Sequence, residues 1–156
     1  MNARPKHNLI RVNGVGVNAT RTDMFAGPDN EFSVVMDEPP ERHGNNEGMW
    51  PLHAFMSGYA GCTNVIMNII AKELGITFSD IKFGISGYLD PRGYTGAEKL
   101  SIPFSKIRIS IDGRASGNVD QIENLKSQLT WRCPAAATLY AAGIEIEEDW
   151  RLQLDA

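Results

Sequence analysis

The chain holds only two thiols, Cys62 and Cys133, and their settings differ in a way that matters for chemistry. Cys62 sits in Tyr59-Ala60-Gly61-Cys62-Thr63, inside the longest apolar stretch of the sequence. Cys133 sits in Trp131-Arg132-Cys133-Pro134, directly before a segment that reads as a short helix opened by proline. A thiol at a helix N-terminus feels the positive end of the macrodipole, and the neighbouring Arg132 adds to that effect. Both influences favour a thiolate at Cys133. The residues alone leave two readings open. Each cysteine is a small buried hydrophobe, as most free cysteines are, or the two form a redox pair.

Other chemistry finds less support. The histidines His7, His43 and His53 stand far apart, with none of the close spacings that build a metal site, so no metal is expected. His53 precedes Cys62 by nine residues, which on a regular helix turns it about 180° away. No nucleophile elbow is present and no glycine-rich phosphate loop follows a strand. The net charge is −4 and the basic residues are scattered, which gives no electrostatic reason to expect nucleic acid. The N-terminal MNARPKHNLIRVNG lacks the apolar region of a secretory leader, so a cytoplasmic protein is expected. In that compartment a permanent structural disulfide is not expected. The acidic run Glu145, Glu147, Glu148 and Asp149 reads as the exposed side of a last strand.

The element that must position Cys62 runs from Pro51 to Leu74. Proline suits a first helical turn, and Gly75 is a natural stop. At about 1.5 Å per residue this helix spans about 36 Å. Its apolar residues go nearly all the way round, which predicts a central helix wrapped by other elements. Ser57, Gly58, Asn64 and Asn68 break the run too often for a membrane span. Each helical glycine costs about 1 kcal/mol against alanine, so Gly58 and Gly61 point to the close approach of something bulky beside Cys62.

Around it, strands are expected at Asn8–Val17, Thr20–Ala26 and Glu31–Met36, the last leaving the Gly27-Pro28-Asp29-Asn30 turn. A polar loop, Asp37–Gly48, leads into the helix. Beyond Gly75, strands are expected at Ile81–Leu89 and Phe104–Ile111, with Asp112-Gly113 ending the second. A helix is expected over Asn118–Trp131, then a short one from Pro134 to Ala142, and finally a strand over Ile144–Leu154. Nothing announces a domain boundary, so residues 1–156 are expected to form one domain. An apolar content of 42% and a charged content of 22% are ordinary for a globular protein.

This order of elements resembles the OsmC/Ohr family of organic hydroperoxide reductases over nearly the whole chain. The resemblance is carried by Pro51 with Cys62 eleven residues on, by the small residues Gly58, Ala60 and Gly61, and by Arg132-Cys133-Pro134. It implies an α+β, OsmC-like fold with antiparallel sheets packed around a long central buried helix, in an intertwined homodimer. It also implies a two-cysteine peroxidase. Cys62 matches the cysteine that attacks an organic hydroperoxide and becomes a sulfenic acid. Cys133 matches the one that resolves it to a disulfide. No bound cofactor is implied; an external dithiol or lipoyl group is the expected reductant. The family's thiolate-stabilising arginine matches Arg42, nine residues before Pro51, with Glu41 or Glu47 available to hold it. The family's glutamate after the proline is replaced by Leu52. The other reading is an OsmC-like protein that binds a small apolar ligand, walled by Phe55, Tyr59 and Ile66, or has another thiol redox role.

Overall fold

The computed structural model describes residues 8–155. His7 and the first half of the stretch read above for a leader lie outside the described residues. Among the described residues, three α-helices and two three-stranded sheets make an α+β fold, in two compact units that divide after Ala54.

The first unit is an antiparallel sheet followed by a loop. Its strands are β1 (Val12–Gly16), β2 (Thr22–Ala26) and β3 (Phe32–Met36), paired in that order. They are shorter than the alternation in sequence suggests. Val12, Val15, Phe32 and Val34 are all exposed, so this sheet buries neither face well. The following loop is tied down by one residue. Asp37 is fully buried and its carboxylate accepts from the backbone N–H groups of Glu38, Asn45 and Glu47 at 2.9, 3.0 and 3.2 Å. Burial pushes this carboxyl up, but the Thr20 hydroxyl and those three N–H groups outweigh it, and the net direction is down. Gly44 lets the loop fold back on itself, since a Cβ there would meet the Glu38 backbone at 1.8 Å. A short 3-10 turn, Pro40–Arg42, sits inside it.

The second unit carries the core. Helix α1 (Pro51–Leu74) begins in the first unit and has the bounds expected from Pro51 and Gly75. Gly75 takes φ +72° and the Ile76 N–H donates to the Ala71 carbonyl, a left-handed C-terminal stop of the Schellman kind. The sheet strands are β4 (Phe78–Leu89), β5 (Phe104–Ser116) and β6 (Glu145–Asp155), in that order. Between β5 and β6 run α2 (Val119–Arg132) and α3 (Pro134–Ala141).

Three expectations need correction here. Strand β5 does not end at Asp112-Gly113 but continues to Ser116. Gly113, at φ +155°, lies opposite an irregularity in β4 between Ser79 and Lys82, so the turn signal marks a kink within a strand. Not all pairing is antiparallel: β5 and β6 run parallel. The two intervening helices form a crossover, which returns the chain to the end of the sheet where β5 began. Finally, α1 is not covered all round. Tyr59, Thr63, Met67, Ile70 and Ala71 are buried, whereas Leu52, Phe55, Val65 and Ile69 are exposed.

The covered stripe of α1 meets Ile107, Ile109 and Ile111 of β5, Leu125 and Leu129 of α2, and Ala136 and Leu139 of α3 in one apolar cluster. By length and composition alone α1 would pass for a membrane-crossing helix; its inner stripe is instead part of this packed core. Strand β5 alternates at period two, with the three isoleucines buried and Lys106 and Arg108 on the other face.

Candidate functional site

Pro134 shapes the site locally. A residue before proline is disfavoured in the helical region, and Cys133 is extended, with φ −77° and ψ 112°. It therefore ends α2 and caps α3 at once. Its N–H still donates to the Leu129 carbonyl, and its own carbonyl accepts from Ala137. The turn leaves the Cys133 side chain fully buried against α1.

There it meets Cys62. The two Sγ atoms are 3.4 Å apart, both as free thiols, with Cys62 half-buried and Cys133 without solvent exposure. A disulfide needs about 2.05 Å, so a small side-chain movement separates the two states. Residues 71 positions apart are thus brought together within the second unit. Of the two sulfur-bearing side chains, Cys62 is the one with solvent exposure.

The electrostatics of Cys133 differ from the sequence reading. Burial pushes its thiol up, the Ala136 amide in the first turn of α3 works the other way, the Cys62 sulfur raises it further and the Thr63 hydroxyl lowers it; the net direction is up. Arg132 does not act as expected. Its guanidinium is committed to a bidentate pair with Glu73 at 2.6 and 2.7 Å and accepts no other role than a 2.8 Å bond to Gln128. Adjacency in sequence is not adjacency in space, because consecutive helical residues point about 100° apart.

Arg42 lies in the first unit. Its Nη1 donates to Glu38 at 3.2 Å and its guanidinium lies 5.6 Å from the Trp50 ring centroid. The carboxylate that holds it is Glu38, four residues earlier, rather than Glu41 or Glu47. Glu47 pairs with Arg21 at 2.7 Å instead. Trp50 also stacks on His53 at 4.7 Å.

Two polar residues stand differently from what the sequence suggests. Glu148 is not on the exposed side of β6. Glu145 and Glu147 face Lys106 at 3.0 and 2.8 Å and Asp149 lies 3.5 Å from Arg108, but Glu148 points to the other face. There it accepts a 2.9 Å bond from Trp150 Nε1. Burial first, and then the Glu148 charge, hold the phenols of Tyr59 and Tyr140 above their ordinary range. The signal was available: Glu148 shares parity with Ile146, Trp150 and Leu152, so it belongs to the inner row. The second is Thr63, whose hydroxyl is buried and makes no hydrogen bond of normal geometry.

The walls proposed for an apolar ligand are not one open surface. Tyr59 is buried, Ile66 packs on the core, and Phe55 stacks on Phe104 with centroids 6.2 Å apart. Nor does anything bulky sit against the helical glycines, since a Cβ at Gly58 or Gly61 would meet open space.

A fold in which a long helix and a Cys-Pro turn hold two thiols in contact defines a class of thiol proteins, and comparison with known proteins identifies it. The OsmC-like protein family matches residues 44–149, and the chain belongs to that family. A hydroperoxide reductase of Mycoplasma genitalium is 28% identical over 112 residues, covering 70% of this chain and 73% of that protein. Among solved structures, an OsmC-like protein from Mycoplasma pneumoniae superposes with a TM-score of 0.76 at 18% identity, over 97% of this chain and 100% of that one. An organic hydroperoxide resistance protein OsmC from Legionella pneumophila gives 0.64 at 15% identity, over 94% and 99% of the two chains.

Proposed function

We propose that the protein is a thiol-dependent peroxidase that reduces organic hydroperoxides. The observation that carries this reading is the 3.4 Å contact between a half-buried and a fully buried thiol. In this scheme the Cys62 thiolate attacks the distal peroxide oxygen. The O–O bond breaks, an alcohol leaves, and Cys62 becomes a sulfenic acid. The Cys133 sulfur then attacks Cys62, forming the S–S bond and expelling hydroxide, which leaves as water after protonation. An external dithiol or lipoyl group returns both thiols. The names of the M. genitalium and L. pneumophila relatives support the hydroperoxide class of substrate.

Arg42 is the proposed cation for the attacking sulfur, by its match to the family arginine. Its pairing with Glu38 supports that role, because it supplies the carboxylate clamp that Leu52 does not. A homodimer is the proposed working form, and a cytoplasmic location the proposed setting. The exposed stripe of Leu52, Phe55, Val65 and Ile69 on α1 supports the dimer, since it leaves apolar surface that a second chain would cover.

The test compares wild type with single-cysteine variants, using cumene hydroperoxide and dithiothreitol or dihydrolipoamide. Cys62→Ser should abolish turnover, because a hydroxyl at neutral pH is a far poorer nucleophile than a thiolate. Cys133→Ser should consume one equivalent of peroxide and accumulate a sulfenic acid at Cys62 that dimedone traps. Arg42→Ala should slow the first oxidation. Equal background rates in wild type and both cysteine variants would refute the peroxidase and leave the ligand-binding reading in its place.

A further inference from the structure

Thr63 is an anomaly in the core. Its side chain is 1% exposed, and its hydroxyl oxygen is the one buried side-chain oxygen or nitrogen among the described residues that makes no hydrogen bond. A threonine inside a helix usually returns its hydroxyl to a carbonyl one turn back, and Thr63 does not. A buried polar group left unpaired asks for an explanation, and a polar partner that exists only in another chemical state is one. The Thr63 hydroxyl lies close enough to the Cys133 sulfur to draw its thiol down, although it makes no hydrogen bond of normal geometry.

As a neutral thiol, the Cys133 sulfur is a weak acceptor; as a thiolate it is a strong one. We propose that the Thr63 hydroxyl is a donor held in reserve for the Cys133 thiolate, formed when Cys133 attacks the Cys62 sulfenic acid and again when the disulfide is reduced. The proposal rests on the two-cysteine reading above and adds a residue to its second step. In that step the Cys133 sulfur gives an electron pair to Cys62 Sγ, the S–S bond forms and the S–O bond breaks. The departing hydroxide takes up a proton to become water. Cys133 is fully buried, which disfavours its charged form. A hydrogen bond that is good to the charged state and poor to the neutral one stabilises mainly the reactive form, which is how a binding interaction becomes a catalytic one. Thr63 and Cys62 both stand on α1, so the helix that presents the first sulfur also carries this hydroxyl.

The experiment has two arms. In the first, Cys133 is titrated by thiolate absorbance at 240 nm in a Cys62→Ser background, where no peroxide chemistry is involved. Adding Thr63→Val, which keeps the shape and removes the hydroxyl, should move the midpoint up by about one pH unit, while Thr63→Ser should leave it within a few tenths. In the second arm, chains with both cysteines receive one equivalent of cumene hydroperoxide. Thr63→Val should form its sulfenic acid at the wild-type rate but close the disulfide about tenfold more slowly, and Thr63→Ser should close it normally. If Thr63→Val aggregates, Thr63→Ala carries the same comparison. A midpoint that does not move between Thr63→Val and Thr63→Ser overturns the proposal. A wild type that ignores hydroperoxide while the midpoint still shifts overturns the peroxidase and leaves the hydrogen bond standing.

Discussion

Glu148 shows how much a single residue's orientation changes what it can do. Its neighbours in sequence are ion-paired on the outer face of β6, and it alone turns inward, with Trp150 Nε1 as its donor. The charge it carries acts on two phenols that burial has already shifted upward. Glu148→Gln should therefore let the Tyr140 phenol ionise at lower pH than in wild type. Tyrosinate absorbance near 295 nm reads this directly, and an unchanged titration would mean that burial accounts for the whole shift. The same reasoning explains why Arg132 is a poor activator of Cys133. A guanidinium with both Nη atoms on Glu73 has its charge largely answered.

At the scale of elements, the loop between β3 and α1 depends on Asp37 more than on any turn residue in it. Three backbone N–H groups converge on one buried carboxylate, and they have no second acceptor if it is lost. Asp37→Ala should leave the amides of Glu38, Asn45 and Glu47 without hydrogen-exchange protection, while the amides of β5 keep theirs. The pH dependence has a definite sign. Because the folded carboxyl is held below its ordinary value, its contribution is present above the unfolded pKa and is lost as pH falls through the folded one. The loop that carries Arg42 should thus loosen at the acid end and not at the alkaline end.

For the whole molecule, the distribution of exposed apolar residues is the main physical clue. Val12, Val15, Phe32 and Val34 in the first sheet, with Phe55, Val65 and Ile69 on α1, amount to more uncovered hydrophobic surface than isolated surface positions explain. A second copy of the chain is the proposed cover. Sedimentation at micromolar concentration should show a dimer, and Val65→Asp should dissociate or destabilise it by several kcal/mol, because a charge would be buried without a partner. A surface valine in a monomer would tolerate the same change within about 0.5 kcal/mol, and a stable, soluble monomer would remove the proposal.

What the sequence by itself determined is whatever depends on neighbours along the chain. Pro51 and Gly75 bound α1 because a missing N–H and a positive φ are local requirements, and both ends fall where those residues stand. Asn118 opens α2 through a capping box with Gln121, again within four residues, and the alternation of Ile107, Ile109 and Ile111 sorted β5 into two faces. Pro134 forced Cys133 out of the helix and so marked it as a residue at a turn. Tertiary structure alone decided which groups meet across long separations. It placed the two sulfurs in contact and gave Arg132 to Glu73. It ran β6 parallel to β5 and left one stripe of α1 bare. These outcomes rest on packing between elements far apart in the chain, where the energy of a contact depends on what else is buried beside it, and no local pattern records that.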